Sequence, residues 1–265
     1  MDSVLKFLKE VRETPPPPFI IDQLLPDSWQ SYMLLCGRPG IGKTNLALYL
    51  AFCLARGDPF FDFKTKPTKT GYLFMEGGKH QIADRVVKLA KNYAQLPPTL
   101  YIQPLEPTSL TPQGKDNLLQ VIHGVKVVII DPLKFLTPGD YMKPNDVKLT
   151  LTTLLELQNR FHFISILIGH IRKPDRAKIE DPDDYWTDLK GPTEYLEMAN
   201  SAILLRKPRH AKNPLDGTFT SNINARELCF IKARDAQKDL HPIKLLFNPD
   251  LLLYRPYTDH FGGEE

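Results

Sequence analysis

The sequence offers almost no cysteine chemistry. Cys36, Cys53 and Cys229 form no CxxC pair and leave an odd count, which excludes a disulfide framework and argues against structural zinc. Two of them sit in apolar runs and read as buried thiols of a reducing compartment. Long hydrophobic runs are also missing: none approaches the roughly 18 residues that a membrane span needs. The opening stretch MDSVLKFLKEVRETPPPP mixes charges into its apolar positions, unlike a signal peptide. The expected setting is therefore cytoplasmic, with no membrane partner. A dominant charge of one sign is absent too. The net charge is only +3, less than a dedicated duplex-binding module carries. A single strand held in the shared channel of a ring asks for fewer charges per subunit, so net charge neither excludes nor establishes nucleic acid. Internal repeats are absent.

What is present suits a globular chain. Hydrophobic residues make up 42% and charged residues 25%, enough for one substantial domain with its own core. Residues 1–19 read as an N-terminal arm or strap. Val4, Leu5, Leu8 and Val11 recur at helical spacing, and the proline run 15–18 ends that helix. Such an arm packs either on a neighbouring subunit or on the chain's own core. Residues 20–255 read as one α/β domain, and 256–265 as a flexible tail.

Within the domain, strands alternate with helices. YMLLC, GYLFME (71–76), TLYIQP (99–104), VKVVIID (125–131) and HFISILIGH (162–170) read as strands. Helices are expected at 43–56, 82–93, 113–123 and 147–160. This rhythm predicts a mostly parallel sheet covered by helices on both faces. The continuous apolar runs VVII and ISILI mark central strands. After Gly191 the connections shorten. SAILLRK, ELCFIKAR, PIKLLFN and LLLYRP then predict an antiparallel extension of the same sheet. The polar stretch 172–190 reads as a long mobile loop.

The segment Gly37-Arg38-Pro39-Gly40-Ile41-Gly42-Lys43-Thr44 fits GxxxxGK[ST] without mismatch. An apolar strand precedes it and a periodic helix follows. Glycines let successive N–H groups face phosphate oxygens, and the helix N-terminus adds favourable partial charge. Lys43 is expected to reach the β- and γ-phosphates, and Thr44 to offer its hydroxyl to Mg2+. Asp131 closes a buried strand at the edge where open α/β sheets bind ligands; it is the second expected magnesium residue, or else a cap of the next turn. Glu76 closes another strand and is the candidate for orienting the attacking water, with helix capping as the alternative. His170 ends a third strand; it either senses the γ-phosphate region or donates to local backbone.

Taken together, LLCGRPGIGKTNLALYLA, GYLFMEGG, VKVVIIDPLKF and FISILIGHIRKP resemble RecA-fold P-loop ATPases. Within them the chain is similar to RepA-like hexameric replicative helicases and to the ATPase domain of DnaB-like helicases, over roughly residues 20–250. The resemblance implies ATP as the nucleotide and a homo-oligomer, hexameric in that family, with active sites shared between subunits. It implies Lys232 and Arg234 of RELCFIKAR as cations reaching a neighbour's site. Residues i and i+2 of a strand share a face, which suits that role; a solvated face is the alternative. It also implies single-stranded DNA at the loops after two strands, with Lys134, Lys143, Arg172, Lys173, Arg176 and Lys178 as candidates. Replication or recombination proteins would be further partners. Gly191-Pro192 departs from the family's glycine-serine pair, and His170 matches the RepA-like side. A RecA-fold ATPase without unwinding, acting in recombination, regulation or defence, is the second reading. A nucleotide-binding structural or signalling module is the third.

Overall fold

The computed structural model describes residues 3–13, 18–170, 194–208, 223–237 and 239–257. Helix α1 (Val4–Glu13) is followed by a small antiparallel pair, β1 (Phe19–Ile21) and β2 (Leu25–Pro26). Then come β3 (Tyr32–Gly37), α2 (Lys43–Arg56), β4 (Thr70–Phe74), α3 (Lys79–Ala90), β5 (Leu100–Pro104), α4 (Pro112–Ile122), β6 (Val127–Asp131), α5 (Pro144–Phe161) and β7 (Ile164–His170). The short α6 (Glu194–Glu197) precedes β8 (Ser201–Arg206), β9 (Ala225–Ala233), β10 (Ile243–Asn248) and β11 (Leu253–Pro256).

Among the described residues, nine strands form one sheet in the order β11-β10-β9-β8-β3-β7-β6-β4-β5. Strands β8 through β5 in that order run parallel, while β9, β10 and β11 are antiparallel additions. The mixed sheet expected from the sequence is therefore present. The antiparallel part begins one strand later than expected, because SAILLRK still pairs parallel with β3.

The central strands are buried on both faces, and their period-2 alternation builds two cores at once. Met33, Leu35, Val127, Ile129, Ile164, Ile166 and Ile168 face the α2–α3 side. Tyr32, Leu34, Cys36, Val128, Ile130 and Leu167 face the α4–α5 side. All three cysteines are buried free thiols. Helix α2 carries ten buried residues and ends at Gly57, whose φ of 77° provides the left-handed cap. Helix α3 begins three residues before the expected start, because its first turn, Lys79–Gln81, is polar and exposed and gives no apolar periodicity. Val4, Leu5 and Leu8 of α1 are 72%, 81% and 43% exposed. Among the described residues no helix is long and apolar enough to cross a membrane.

Candidate active site

The parallel register brings four strand ends to one edge. Gly37 pairs with His170 across β3 and β7, and Phe74 pairs with Asp131 across β4 and β6. The loop 37–44 leaves β3 at this edge and runs directly into α2. Two glycines are sterically required there. A Cβ on Gly37 would lie 2.6 Å from the Leu205 carbonyl, and one on Gly42 would lie 2.4 Å from the Tyr254 hydroxyl at a φ of +109°. Arg38, Pro39 and Gly40 are exposed, so the outer rim of the loop is open.

Lys43 is 6% exposed. Its ammonium donates to the Arg38 carbonyl at 3.0 Å and meets His170 Nδ1 at 3.1 Å. Burial lowers its pKa to about 8, with the Asp131 carboxylate opposing that shift. An ammonium has donors only, so Nδ1 accepts and the ring proton sits on Nε2. That nitrogen faces Glu76 Oε2 at 3.9 Å. Lys43, His170 and Glu76 thus form one polar line along the loop's mouth.

Asp131 is 4% exposed. Burial raises its pKa, while the hydroxyls of Tyr72 and Thr44 hydrogen-bond it and hold it back toward ionisation. The Tyr72 bond is 2.7 Å long. Thr44 and Asp131 therefore converge, as a P-loop magnesium site requires. Such a site takes one hydroxyl and one carboxylate from protein and fills the remaining positions with phosphate oxygens and water. Described residues hold no cluster of three or more His, Cys, Asp or Glu, and this donor set of hard oxygens fits Mg2+.

Glu76 lies two residues beyond the end of β4. The Met75 amide still donates to the Asp131 carbonyl at 2.8 Å, extending the ladder by one residue. The Glu76 side chain is 52% exposed and its Oε1 accepts from Lys134 Nζ at 2.9 Å. Lys134 sits on the 3-10 turn Leu133–Leu136 that follows β6. Lys143 is exposed at the start of α5. Arg172, Lys173, Arg176 and Lys178 lie outside the described residues, as does the Gly191-Pro192 pair.

Lys232 and Arg234 are elsewhere. They sit near Ser201, at the sheet edge opposite the phosphate loop. Lys232 donates to the carbonyls of Leu196 and Glu197 at 2.6 and 2.7 Å, and Arg234 also bonds the Glu197 carbonyl. The two cations do share one face, and neither contacts its own chain's loop. Three side chains at the site had no signal in the sequence: Tyr72 against Asp131, Arg226 against the Ile41 carbonyl, and Tyr254 against the Gly42 carbonyl. Only the expectation that a buried phenol finds a partner could have suggested the tyrosines.

A glycine-rich loop between a parallel strand and a helix, with carboxylates at the ends of two nearby strands, defines a RecA-fold P-loop ATPase. The chain belongs to the AAA_25 family of AAA domains, whose profile matches residues 2–176. Solved structures agree on the fold. A DnaB-like replicative helicase, described with its interactions with primase, superposes with a TM-score of 0.65 at 15% identity, covering 96% of this chain and 68% of that one. The ATPase domain of G40P gives 0.61 at 14% identity, covering 95% and 96%. A KaiC-like protein from the hyperthermophilic archaeon Pyrococcus horikoshii gives 0.58 at 14%, covering 92% and 96%. No curated protein matches the chain in sequence.

Proposed function

We propose that this chain hydrolyses ATP as one subunit of a homo-oligomeric motor on single-stranded DNA, a replicative DNA helicase. The observation that carries the reading is the position of Glu76. Its carboxylate stands at the mouth of the phosphate loop, joined on one side to His170 and Lys43 and on the other to Lys134.

The loop amides and Lys43 bind the β- and γ-phosphates. Thr44 and Asp131 would hold magnesium, which would neutralise charge on those phosphate oxygens. Glu76 orients a water in line with the γ-phosphate and accepts its proton. His170 carries the change to the segment that follows β7. Lys232 and Arg234 act from a neighbouring subunit, compensating charge in the transition state. Lys134 and Lys143 meet DNA phosphates, together with Arg172, Lys173, Arg176 and Lys178, and replication proteins are the expected company. Lys134 supports the DNA part of the reading, because one side chain both neighbours the candidate base and lies on a turn after β6. An ion pair this exposed contributes only about 0.2–1 kcal/mol, so a phosphate can displace it.

Glu76→Gln tests the assignment. The variant is expected to bind ATP with wild-type affinity and to lose turnover by roughly 100-fold or more. Turnover at the wild-type rate would sink it.

A further inference from the structure

The antiparallel strands β9 and β11 reach the phosphate loop with two side chains that the hydrolytic scheme does not use. Arg226 of β9 donates from Nε to the Ile41 carbonyl at 2.9 Å. The Tyr254 hydroxyl of β11 donates to the Gly42 carbonyl at 2.9 Å. Both side chains are buried, at 8% and 2% exposure. Each is itself held in place. Arg226 NH1 donates to the carbonyls of Ile223 and Ala225 at 2.8 and 2.7 Å. The Tyr254 ring packs on Phe247 with centroids 4.8 Å apart. Two consecutive loop carbonyls are therefore tied to the C-terminal strands, and the Gly42 carbonyl also accepts the Leu46 amide of α2 at 2.9 Å, so Tyr254 reinforces an orientation that the helix start shares.

The consequence follows from peptide geometry. In a planar trans peptide the C=O and the next N–H point in opposite directions. Pinning the Ile41 and Gly42 carbonyls toward β9 and β11 aims the N–H groups of Gly42 and Lys43 the other way. Among the described residues those two amides have no backbone acceptor, as expected at a helix start. Gly42 has a φ of +109°, a conformation that only a side-chain-free residue holds cheaply. Tyr254 occupies the space a Cβ would need there, so the hydroxyl and the glycine fit each other. Among the described residues all the hydrogen bonds of Arg226 go to carbonyls and none to a carboxylate.

We propose that Arg226 and Tyr254 are positioning residues that preorganise the phosphate loop, orienting the amides of Gly42 and Lys43 for phosphate before any ligand arrives. This rests on the reading of residues 37–44 as the nucleotide site. Preorganised donors avoid reorganisation cost at the moment of binding. The effect is directed at the phosphates and is indifferent to the nucleoside.

The test is equilibrium binding of Mg-ATP and of inorganic tripolyphosphate to the full chain, with Tyr254→Phe, Arg226→Met and Arg226→Lys. Tyr254→Phe keeps the ring and its packing and removes one donor. It is expected to weaken both ligands by the same factor, about 3–10-fold for one hydrogen bond. Arg226→Met is expected to weaken both at least as much, and Arg226→Lys to recover most of that loss. A purely structural brace would lower Tm and leave both affinities of the folded protein unchanged; that result overturns the proposal. So does a loss confined to ATP, which would assign the hydroxyl to the nucleoside end. Wild-type protein that binds neither ligand would instead refute the nucleotide site itself.

Discussion

The Lys134 ammonium lies 2.9 Å from the Glu76 carboxylate, joining the turn after β6 to the residue proposed to activate water. While Lys134 donates to Oε1, that oxygen is occupied and is not free to orient a water. The pair is a resting arrangement in the proposed scheme: DNA phosphate draws Lys134 away and frees Glu76. Lys134→Met is therefore expected to raise DNA-free ATP turnover severalfold and to shrink the stimulation by single-stranded DNA toward unity. Steady-state hydrolysis with and without a homopolymeric strand checks this. A variant with lower basal turnover and full stimulation would contradict it.

Asp131 gives a pH prediction. Burial raises its pKa and the Tyr72 hydroxyl opposes that rise. Only the ionised carboxylate serves magnesium, so activity fails as pH falls through the folded-state pKa. Removing the phenol donor raises that pKa further. Tyr72→Phe should shift the acid limb of kcat/KM to higher pH and leave the alkaline limb in place. An unmoved acid limb would mean that the phenol does not set the charge of Asp131.

Lys232 and Arg234 stand at the sheet edge away from their own loop, bonded to the carbonyls at the end of α6. If they act on a neighbour, two inactive variants should complement each other. Glu76→Gln and Arg234→Ala are each expected to lose turnover alone. Mixed in equal amounts, they should recover a fraction of wild-type activity, because some interfaces then combine an intact Glu76 with an intact Arg234. No recovery in a demonstrably mixed oligomer would contradict the shared site.

Much of this site was legible in the sequence because its chemistry is local. Eight consecutive residues specify the phosphate loop, and the strand-end rule picks out Asp131, Glu76 and His170 from the apolar runs before them. The alternation of strands and helices predicted the parallel sheet. Strand order is a different matter, since hydrophobic pattern carries no information on which strand neighbours which. The contacts that tune the site were hidden for the same reason. Tyr254 meets Gly42 across 212 residues and Arg226 meets Ile41 across 185. Lys134 was legible as a candidate DNA-contacting cation, whereas its pairing with Glu76, 58 residues away, was not. The β1–β2 pair also escaped notice, because strands of three and two residues are too short to show a period.

The proposed function makes ATP hydrolysis at Glu76 answer to single-stranded DNA in an oligomer. It is tested most directly by steady-state ATP hydrolysis with and without single-stranded DNA across protein concentrations. Strong stimulation by DNA and a cooperative rise of specific activity with concentration are expected. Robust hydrolysis indifferent to both would contradict it, and would leave an ATPase whose partner is something other than a DNA strand.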